Sequence, residues 1–222
     1  MWLRVIDIRV FTGGGFAENA YLVQCRETGA AVVVDPGAAA PAMADAIRSE
    51  SLAVEAILLT HAHLDHVEGV HEIRAVAPEA PIWIHPGALP MYRSLPQQAA
   101  WFGMRMAPQP EPDREFVHGQ DFTFGGCTLD VRDAPGHAPG HVILVSHEDR
   151  AVLVGDVVFQ GSIGRVDLPG GDMRTLMKSI REQVLTLPDD FVLYPGHGPP
   201  TTVGFERVGN PFLVGVYGGE LA

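Results

Sequence analysis

The chain has 222 residues, of which 46% are hydrophobic and 19% charged, and its formal net charge is −12. This composition is typical of a soluble globular protein with a sizeable core, and an acidic chain without a basic cluster argues against nucleic acid as a partner. No apolar run approaches the ~20 residues that a membrane-spanning helix needs, so we also expect no membrane partner.

The two cysteines, Cys25 and Cys127, lie far apart in the sequence and lack the spacing of metal ligands. They predict reduced, half-buried thiols, which is the usual state in the cytoplasm. The N-terminal segment is charged and has no signal-peptide core. Together these features predict a cytoplasmic protein.

The first part of the chain alternates short apolar strands with glycine turns. Strands are predicted over residues 3–10, 20–24 and 31–34, and the short turns between them favour an antiparallel arrangement. Pro41 then opens a helix. Residues 54–59 form an apolar run that predicts a strand buried on both faces.

The remainder of the chain adds helices and a second group of strands. A helix is predicted over residues 67–77, and the Pro-, Gln- and Met-rich segment 96–118 is predicted to be a loop or lid. Further strands are predicted over residues 81–84, 120–124, 127–132, 141–146, 151–154 and 191–194, with a helix capped by Asp172 before the last of them. Two strand-rich groups with their own helices predict an α/β fold in which two mixed sheets pack face to face with helices outside. We expect one domain over residues 1–222.

Three histidines and an aspartate lie within six residues after the strand at 54–59, in the order His61, His63, Asp65 and His66. Imidazole nitrogen and carboxylate oxygen are ligands of zinc, and also of iron or manganese. An irregular loop can direct alternating side chains to one point, which one face of a regular helix cannot. The segment therefore predicts a metal site.

Three later strand ends carry further candidate ligands. Pro-Gly turns present His137 and His197, and Asp156 follows a valine-rich strand. Ligands gather at the carboxyl ends of strands in layered α/β proteins. We therefore expect these three residues to complete the site.

These motifs resemble those of the metallo-β-lactamase fold family. The resemblance implies a four-layer αββα sandwich with two divalent metal ions, most often zinc, with iron or manganese as alternatives. It also implies two groups of three ligands that Asp156 bridges. The first group is His61, His63 and His137, and the second is Asp65, His66 and His197.

Within this family the chain resembles the short, single-domain members of the glyoxalase II-like group. The segments that carry the resemblance are residues 19–21, 134–141, 155–165, 168–172 and 210–212. The implied activity is hydrolysis of hydroxyacylglutathione or a related acyl-thiol by a metal-bridging hydroxide, with Asp65 and Asp156 as catalytic residues. The C-terminal helical domain that contacts glutathione in the longer enzymes has no counterpart after His197, which leaves the thiol carrier open.

Three more residues are predicted near the site. Arg165 lies in a Gly-rich loop beyond Asp156, where a guanidinium suits a substrate carboxylate, although a solvated charge fits equally well. Asp35 and His141 are predicted to support the ligands by hydrogen bonds, with a turn former and a structural histidine as the alternatives.

Other functions remain open at this point. A persulfide dioxygenase resembles this group and would use one iron at His61, His137 and Asp156, and oxygen consumption with a persulfide would identify it. A lactonase would open an acyl lactone. A non-catalytic metal-binding protein on the same fold would bind metal without turnover, but such proteins usually lose ligands, and none of the seven is missing here.

Overall fold

The computed structural model describes residues 5–215, so the start predicted for the first strand, at Leu3, lies outside the described residues. The elements of the first half are β1 (Ile6–Gly13), β2 (Glu18–Cys25), β3 (Ala31–Val34), α1 (Ala40–Glu50), β4 (Val54–Leu58), α2 (Leu64–Val67), α3 (Val70–Val76), β5 (Ile82–Ile84), α4 (Leu89–Arg93), α5 (Leu95–Trp101) and β6 (Arg114–Glu115). Those of the second half are β7 (Asp121–Phe124), β8 (Cys127–Asp133), β9 (Val142–Ser146), β10 (Ala151–Gly155), β11 (Val158–Phe159), β12 (Ser162–Ile163), α6 (Met173–Ser179), β13 (Val192–Pro195), β14 (Thr201–Thr202) and α7 (Val203–Gly209).

Within residues 5–215 the strands form two six-stranded sheets and one separate hairpin. The first sheet has the order β1-β2-β3-β4-β5-β6, and the second has the order β14-β13-β10-β9-β8-β7. Strands β1 to β3 pair antiparallel as predicted, whereas β3 to β6 pair parallel. In the second sheet only β10 and β13 pair parallel. Both sheets are therefore mixed, as predicted.

Side chains on alternate positions of the central strands enter different cores. In β3, Val33 packs with residues of α1 and α3, whereas Val32 packs between the two sheets. In β9, Leu144 faces the first sheet and Ile143 packs with residues of α6. Because both faces of these strands are covered, their residues are buried throughout. The strand predicted over residues 54–59 to be buried on both faces is buried from Ala56 onward, whereas Glu55 is exposed. This layering confirms the αββα sandwich. In the described part of the chain, no helix has both the length and the apolar character needed to cross a bilayer.

The helix predicted over residues 67–77 begins later, as α3 at Val70, because the chain turns at Gly69, and Val67 belongs to the preceding helix α2. The nitrogen of Gly69 donates a hydrogen bond of 2.8 Å to the carbonyl of Pro36. A Cβ atom at this position would lie 2.2 Å from the Cβ of Ala40 and 2.4 Å from the carbonyl oxygen of Gly37. The close crossing of two chain segments therefore requires glycine here and ends α2.

The loop predicted over residues 96–118 is only partly irregular. Helix α5 runs to Trp101, and Leu95 and Ala99 on its inner face are buried. Strand β6 then pairs parallel with β5. Helix α5 is hard to predict from the sequence, because only two of its seven residues are buried apolar side chains. Pro96 is nevertheless compatible with the first turn of a helix.

Candidate metal centre

The seven predicted ligands lie beyond the carboxyl ends of four strands. The segment with His61 and His63 follows β4, and α2 begins at Leu64, so that Asp65 and His66 lie in a helical turn rather than in an irregular loop. The other three ligands follow β8, β10 and β13 of the second sheet. The nitrogen of Val142 donates to the carbonyl of Thr60 at 2.8 Å, which joins the two sheets beside the ligands.

Glycines place two of the ligand loops. Gly136 has a φ of +127°, and a Cβ atom there would lie 2.2 Å from the backbone nitrogen of Leu176 in α6. A Cβ atom at Gly196 would lie 2.2 Å from Oδ1 of Asp156. Only glycine fits such approaches, which explains why Pro-Gly precedes each of these two histidines.

Three histidine nitrogens converge in the first predicted group. Nε2 of His61 lies 3.1 Å from Nδ1 of His63, which in turn lies 2.8 Å from Nε2 of His137. All three side chains are buried. Their spacing allows each to offer one ligand atom to a common ion.

The second predicted group lies directly beside the first. Oδ2 of Asp65 is 3.3 Å from Nε2 of His197 and 3.9 Å from Nε2 of His66. Asp156 stands between the groups: its Oδ1 is 3.4 Å from Nε2 of His66, and its Oδ2 is 3.4 Å from Nε2 of His137 and 3.5 Å from Nε2 of His197. The structure thus brings all seven predicted ligands together.

Four of the histidines share one arrangement, in which ring Nδ1 faces an oxygen of the protein. The pairs are His61 with Thr60 Oγ1 at 3.1 Å, His66 with Asp35 Oδ2 at 3.1 Å, His137 with the Arg165 carbonyl at 2.7 Å and His197 with the Phe16 carbonyl at 3.1 Å. Since carbonyl and carboxylate oxygens only accept, Nδ1 of His66, His137 and His197 carries a proton. Nε2 of each ring therefore faces the cluster and can bind an ion when it carries no proton of its own. Among the described residues, Nε2 of His66 and Oδ1 of Asp156 are buried without a hydrogen-bond partner. These donor atoms fit metal ions.

The electrostatics of the cluster agree with this fit. Burial, reinforced by the neighbouring His137, lowers the pKa of His63 to about 3, so its ring is neutral. Burial also lowers the pKa of His66, but Asp156 and Asp65 outweigh it and raise that pKa well above its usual value. The buried carboxylates therefore favour a positive charge between the two groups, which a divalent ion supplies.

Asp35 orients one ligand in each group. Its carboxylate accepts hydrogen bonds from the nitrogen of Thr60 at 2.7 Å, from the Thr60 hydroxyl at 2.6 Å and from Nδ1 of His66 at 3.1 Å. Because the Thr60 hydroxyl donates to Asp35, its oxygen accepts from Nδ1 of His61. Asp35 is thus placed behind the ligands.

His141 also lies behind the ligands rather than among them. Its ring stacks on that of His61, with centroids 4.7 Å apart and an interplanar angle of 18°. Its Nε2 accepts a hydrogen bond of 3.0 Å from the backbone nitrogen of Asp156. These contacts hold one ligand ring and the backbone of the residue between the groups.

Arg165 lies at the edge of the cavity beside the cluster, so its binding of a substrate carboxylate stays a prediction. Its Nε and Nη2 donate hydrogen bonds of 2.7 Å to the two carboxylate oxygens of Asp167, and its side chain is largely exposed. Its carbonyl accepts from Nδ1 of His137. The backbone of Arg165 therefore contacts a ligand, while its guanidinium is already paired at the edge of the cavity.

Two further residues, which the sequence motifs did not predict, lie near the cluster. Glu18 is buried, its Oε1 lies 3.9 Å from Nδ1 of His66, and burial raises its pKa to about 10. Gln98 in α5 accepts from the nitrogen of Leu64 at 3.2 Å and donates to the carbonyl of Ala62 at 3.0 Å, which ties α5 to the first ligand segment. Neither residue has a distinctive local signal, because Glu18 is followed by Asn19 and Gln98 is preceded by Gln97.

A cavity of about 650 Å³ opens beside the cluster. His63, Asp65, His137, Asp156 and His197 all reach its wall. This size lies in the usual range for a small-molecule site. A substrate in the cavity would therefore contact ligands from both groups.

Comparison with known proteins identifies the family. The model of the Metallo-beta-lactamase superfamily matches residues 13–197. The chain belongs to this superfamily. The resemblance inferred from the ligand motifs is thus confirmed, and the family and its candidate ligand groups indicate divalent metal ions.

Relatives match this superfamily member over nearly its whole length. Hydroxyacylglutathione hydrolase GloC of Haemophilus influenzae is 37% identical over 210 residues, which cover 94% of this chain and 98% of that protein. The solved structure of TTHA1623 in a di-iron-bound form is 39% identical, with a TM-score of 0.84 and coverage of 92% of this chain and 100% of the other. The BLEG-1 B3 metallo-beta-lactamase is 34% identical, with a TM-score of 0.87 and coverage of 93% and 99%.

Proposed function

We propose that the protein is a metal-dependent hydrolase that cleaves a thioester, either hydroxyacylglutathione or a related acyl-thiol. The observation that carries this proposal is the convergence of seven histidine and aspartate side chains, five of which line one cavity. The similarity to GloC of Haemophilus influenzae supports thioester chemistry. The family match supports metal-dependent hydrolysis more generally.

For the metal site we propose two ions, each held by one group of three ligands, with Asp156 between them. Zinc suits neutral imidazoles and carboxylates, and the di-iron form of TTHA1623 makes iron the main alternative. Metal ions bound there would polarise the substrate carbonyl and make water a nucleophile at neutral pH.

The residues of the chain supply the rest of the proposed mechanism. Asp65 lies on the cavity wall, and although burial raises its pKa, His66 and His197 outweigh this effect and hold the pKa below its usual value. Its carboxylate therefore stays ionised and orients the attacking water by accepting a hydrogen bond. A thiolate of pKa ~8.5 leaves without a strong need for a general acid. No serine or cysteine nucleophile is required.

The test is steady-state hydrolysis of S-lactoylglutathione by protein whose bound metals have been counted. We expect two metals per chain and a kcat/KM of about 10⁴ M⁻¹s⁻¹ or more. An oxygen ester of lactate serves as one comparison substrate. A β-lactam serves as a second, since BLEG-1 is a metallo-beta-lactamase.

Two results would contradict the proposal. A fully metal-loaded protein that cleaves no thioester would exclude thioester hydrolysis. One iron per chain together with oxygen consumption on a persulfide would assign the site to a dioxygenase instead.

A further inference from the structure

The cavity beside the candidate metal centre is lined by many apolar side chains in addition to the ligands. Large apolar side chains on these walls come from four separate parts of the chain. They include Phe16, Leu64, Trp101, Phe102, Phe159 and Ile163. A small polar floor and extensive apolar walls are the usual anatomy of a site that binds an apolar group beside a reactive one.

Three aromatic rings remain exposed at this cavity. Trp101 is 58% exposed, Phe102 44% and Phe16 37%, and the last two rings meet edge to face at a centroid distance of 5.1 Å. Clustered aromatic surface in water is unfavourable, and a contiguous exposed patch usually marks a binding site. The aromatic cluster is therefore placed to cover an apolar group of a ligand.

The cavity offers little to an anionic group of the substrate. Among the described residues that line it, Arg165 alone has a permanently charged cationic side chain, and Asp167 already occupies two of its donors. Glutathione carries two carboxylates, and carboxylates in proteins are typically bound by free arginine or lysine donors. The lining thus provides no evident partner for both of them.

We propose that this cavity selects thioesters with a medium-chain or aromatic acyl group, and that glutathione as the carrier gives no advantage. The inference rests on the proposed hydrolase function and specifies its substrate class. The acyl chain lies against Trp101 and Phe102, while the thioester carbonyl faces the ligands on the floor of the cavity. Burial of apolar surface drives this part of substrate binding.

The first experiment compares acyl groups and carriers in matched pairs. Acetyl, butanoyl, hexanoyl and octanoyl thioesters of glutathione and of uncharged N-acetylcysteamine are given to the metal-loaded protein. We expect kcat/KM to rise about two- to fourfold for each added methylene group, as burial of a methylene predicts. Each pair of carriers should agree within about threefold. A flat dependence on chain length, or a preference of more than about tenfold for glutathione, would overturn the inference.

A pair of phenylalanine variants tests the location of the acyl group. Phe102→Ser removes an aromatic wall of the cavity, whereas Phe205→Ser removes a ring in α7 that is 53% exposed and lies outside the cavity lining. We expect Phe102→Ser to lower kcat/KM for the octanoyl thioester about tenfold and for the acetyl thioester less than twofold. Phe205→Ser should change neither. Equal losses on both substrates in Phe102→Ser would contradict the assignment.

A binding measurement separates this inference from the proposed function. S-Ethyl- and S-octyl-N-acetylcysteamine are thioethers that no hydrolase can cleave, and calorimetry reports their affinities directly. Tighter binding of the octyl compound, lost in Phe102→Ser but kept in Phe205→Ser, would support the apolar site even if no thioester were hydrolysed. No difference between the two thioethers would overturn the inference even if S-lactoylglutathione were a substrate.

Discussion

Asp156 is the carboxylate that contacts both groups of candidate ligands. Its oxygens lie within 3.5 Å of His66, His137 and His197, and its side chain is buried. Asp156→Asn keeps the shape of the side chain but removes its charge. We expect the bound metal to fall from two ions per chain to one or fewer, and kcat to fall on the order of a thousandfold. Elemental analysis after dialysis and steady-state kinetics measure the two effects.

The matched control for this variant is Asp121→Asn. Asp121 is an exposed aspartate at the start of β7, remote from the ligand groups. The Asp121→Asn protein should retain both metals and normal turnover. An Asp156→Asn protein with two metals and unchanged kcat would remove Asp156 from its proposed position between the ions.

The ligands themselves could be predicted from the sequence because His-x-His-x-Asp-His and Pro-Gly-His are local patterns. The roles of the supporting residues could not be predicted in the same detail. Asp35 acts through Thr60 and His66, which are remote in sequence and meet it only after β3 and β4 pair. Glu18 had no local signal at all, since its position beside His66 depends on the fold. The roles of these supporting residues depend on contacts between segments that are distant in the sequence.

Helix α7 holds the hairpin of β11 and β12 against the cavity. The buried carboxylate of Glu206 accepts hydrogen bonds from the Gly161 nitrogen at 2.9 Å and from Asn210 Nδ2 at 2.8 Å. Asn210 Nδ2 also donates to the carbonyl of Ser162 at 2.9 Å. Since Phe159 and Ser162 line the cavity, these buried bonds set the position of one of its walls.

Asn210→Ala should therefore displace the hairpin without affecting the metal ligands. Loss of the amide leaves the buried Glu206 and the Ser162 carbonyl each without one partner, so we expect the free energy of unfolding to fall by about 1–3 kcal/mol. We expect kcat/KM to fall about tenfold with the metal content unchanged. Denaturant unfolding, elemental analysis and kinetics measure these quantities.

The control lies in α7, two residues before Asn210. Val208→Ala changes a side chain that is exposed and makes no contribution to the hairpin, so its stability and kinetics should match the wild type. If Asn210→Ala lost metal, or kept full activity, the hairpin would not be the element through which Asn210 acts.

Elements with a clear period of hydrophobic residues could be predicted from the sequence, and short elements could not. The longer strands of both sheets followed from apolar runs and glycine turns, whereas the two-residue strands β6 and β14 were not predicted. The helix after Asp172 followed from its cap and apolar stripe. The hairpin of β11 and β12 has two residues in each strand, too few to show any alternation. Helix α5 was hidden in a Pro- and Gln-rich segment because tertiary burial, rather than composition, stabilises it.

The sandwich as a whole places the candidate metal centre at one edge, beyond the ends of strands from both sheets. The first sheet supplies the ligand segment after β4, and the second sheet supplies the ligands after β8, β10 and β13. Metal ions bound there would join the two sheets in addition to the core between them. That residues 1–222 form one domain remains a prediction, as does the cytoplasmic location.

Removal of the metals should consequently destabilise the whole fold. A ligand that binds only the native state stabilises it by about 4 kcal/mol when its concentration is a thousand times its Kd. For a chain of this size we expect a chelator to lower the midpoint of thermal unfolding by roughly 10 °C. Calorimetry with and without the chelator, on protein whose metals have been counted, measures the shift. An unchanged midpoint at zero metal content would show that the ions do not join the sheets.

The metal-free protein should also be sensitive to acid, because most of its cluster histidines are buried and neutral. Burial is the main cause that lowers the pKa in four of them: His61, His63, His137 and His141. Below the ordinary histidine pKa of 6.5, the unfolded chain binds these protons while the folded chain does not, so stability falls as the pH falls. The raised pKa values of His66, His197 and Glu18 act in the opposite direction, but these groups are fewer.

Bound metal keeps the ligand rings deprotonated. The metal-loaded protein should therefore stay folded at a lower pH than the metal-free protein, until its ions dissociate. Equal stability of the metal-free protein at pH 6.5 and about pH 5 would contradict the buried, neutral state of these rings.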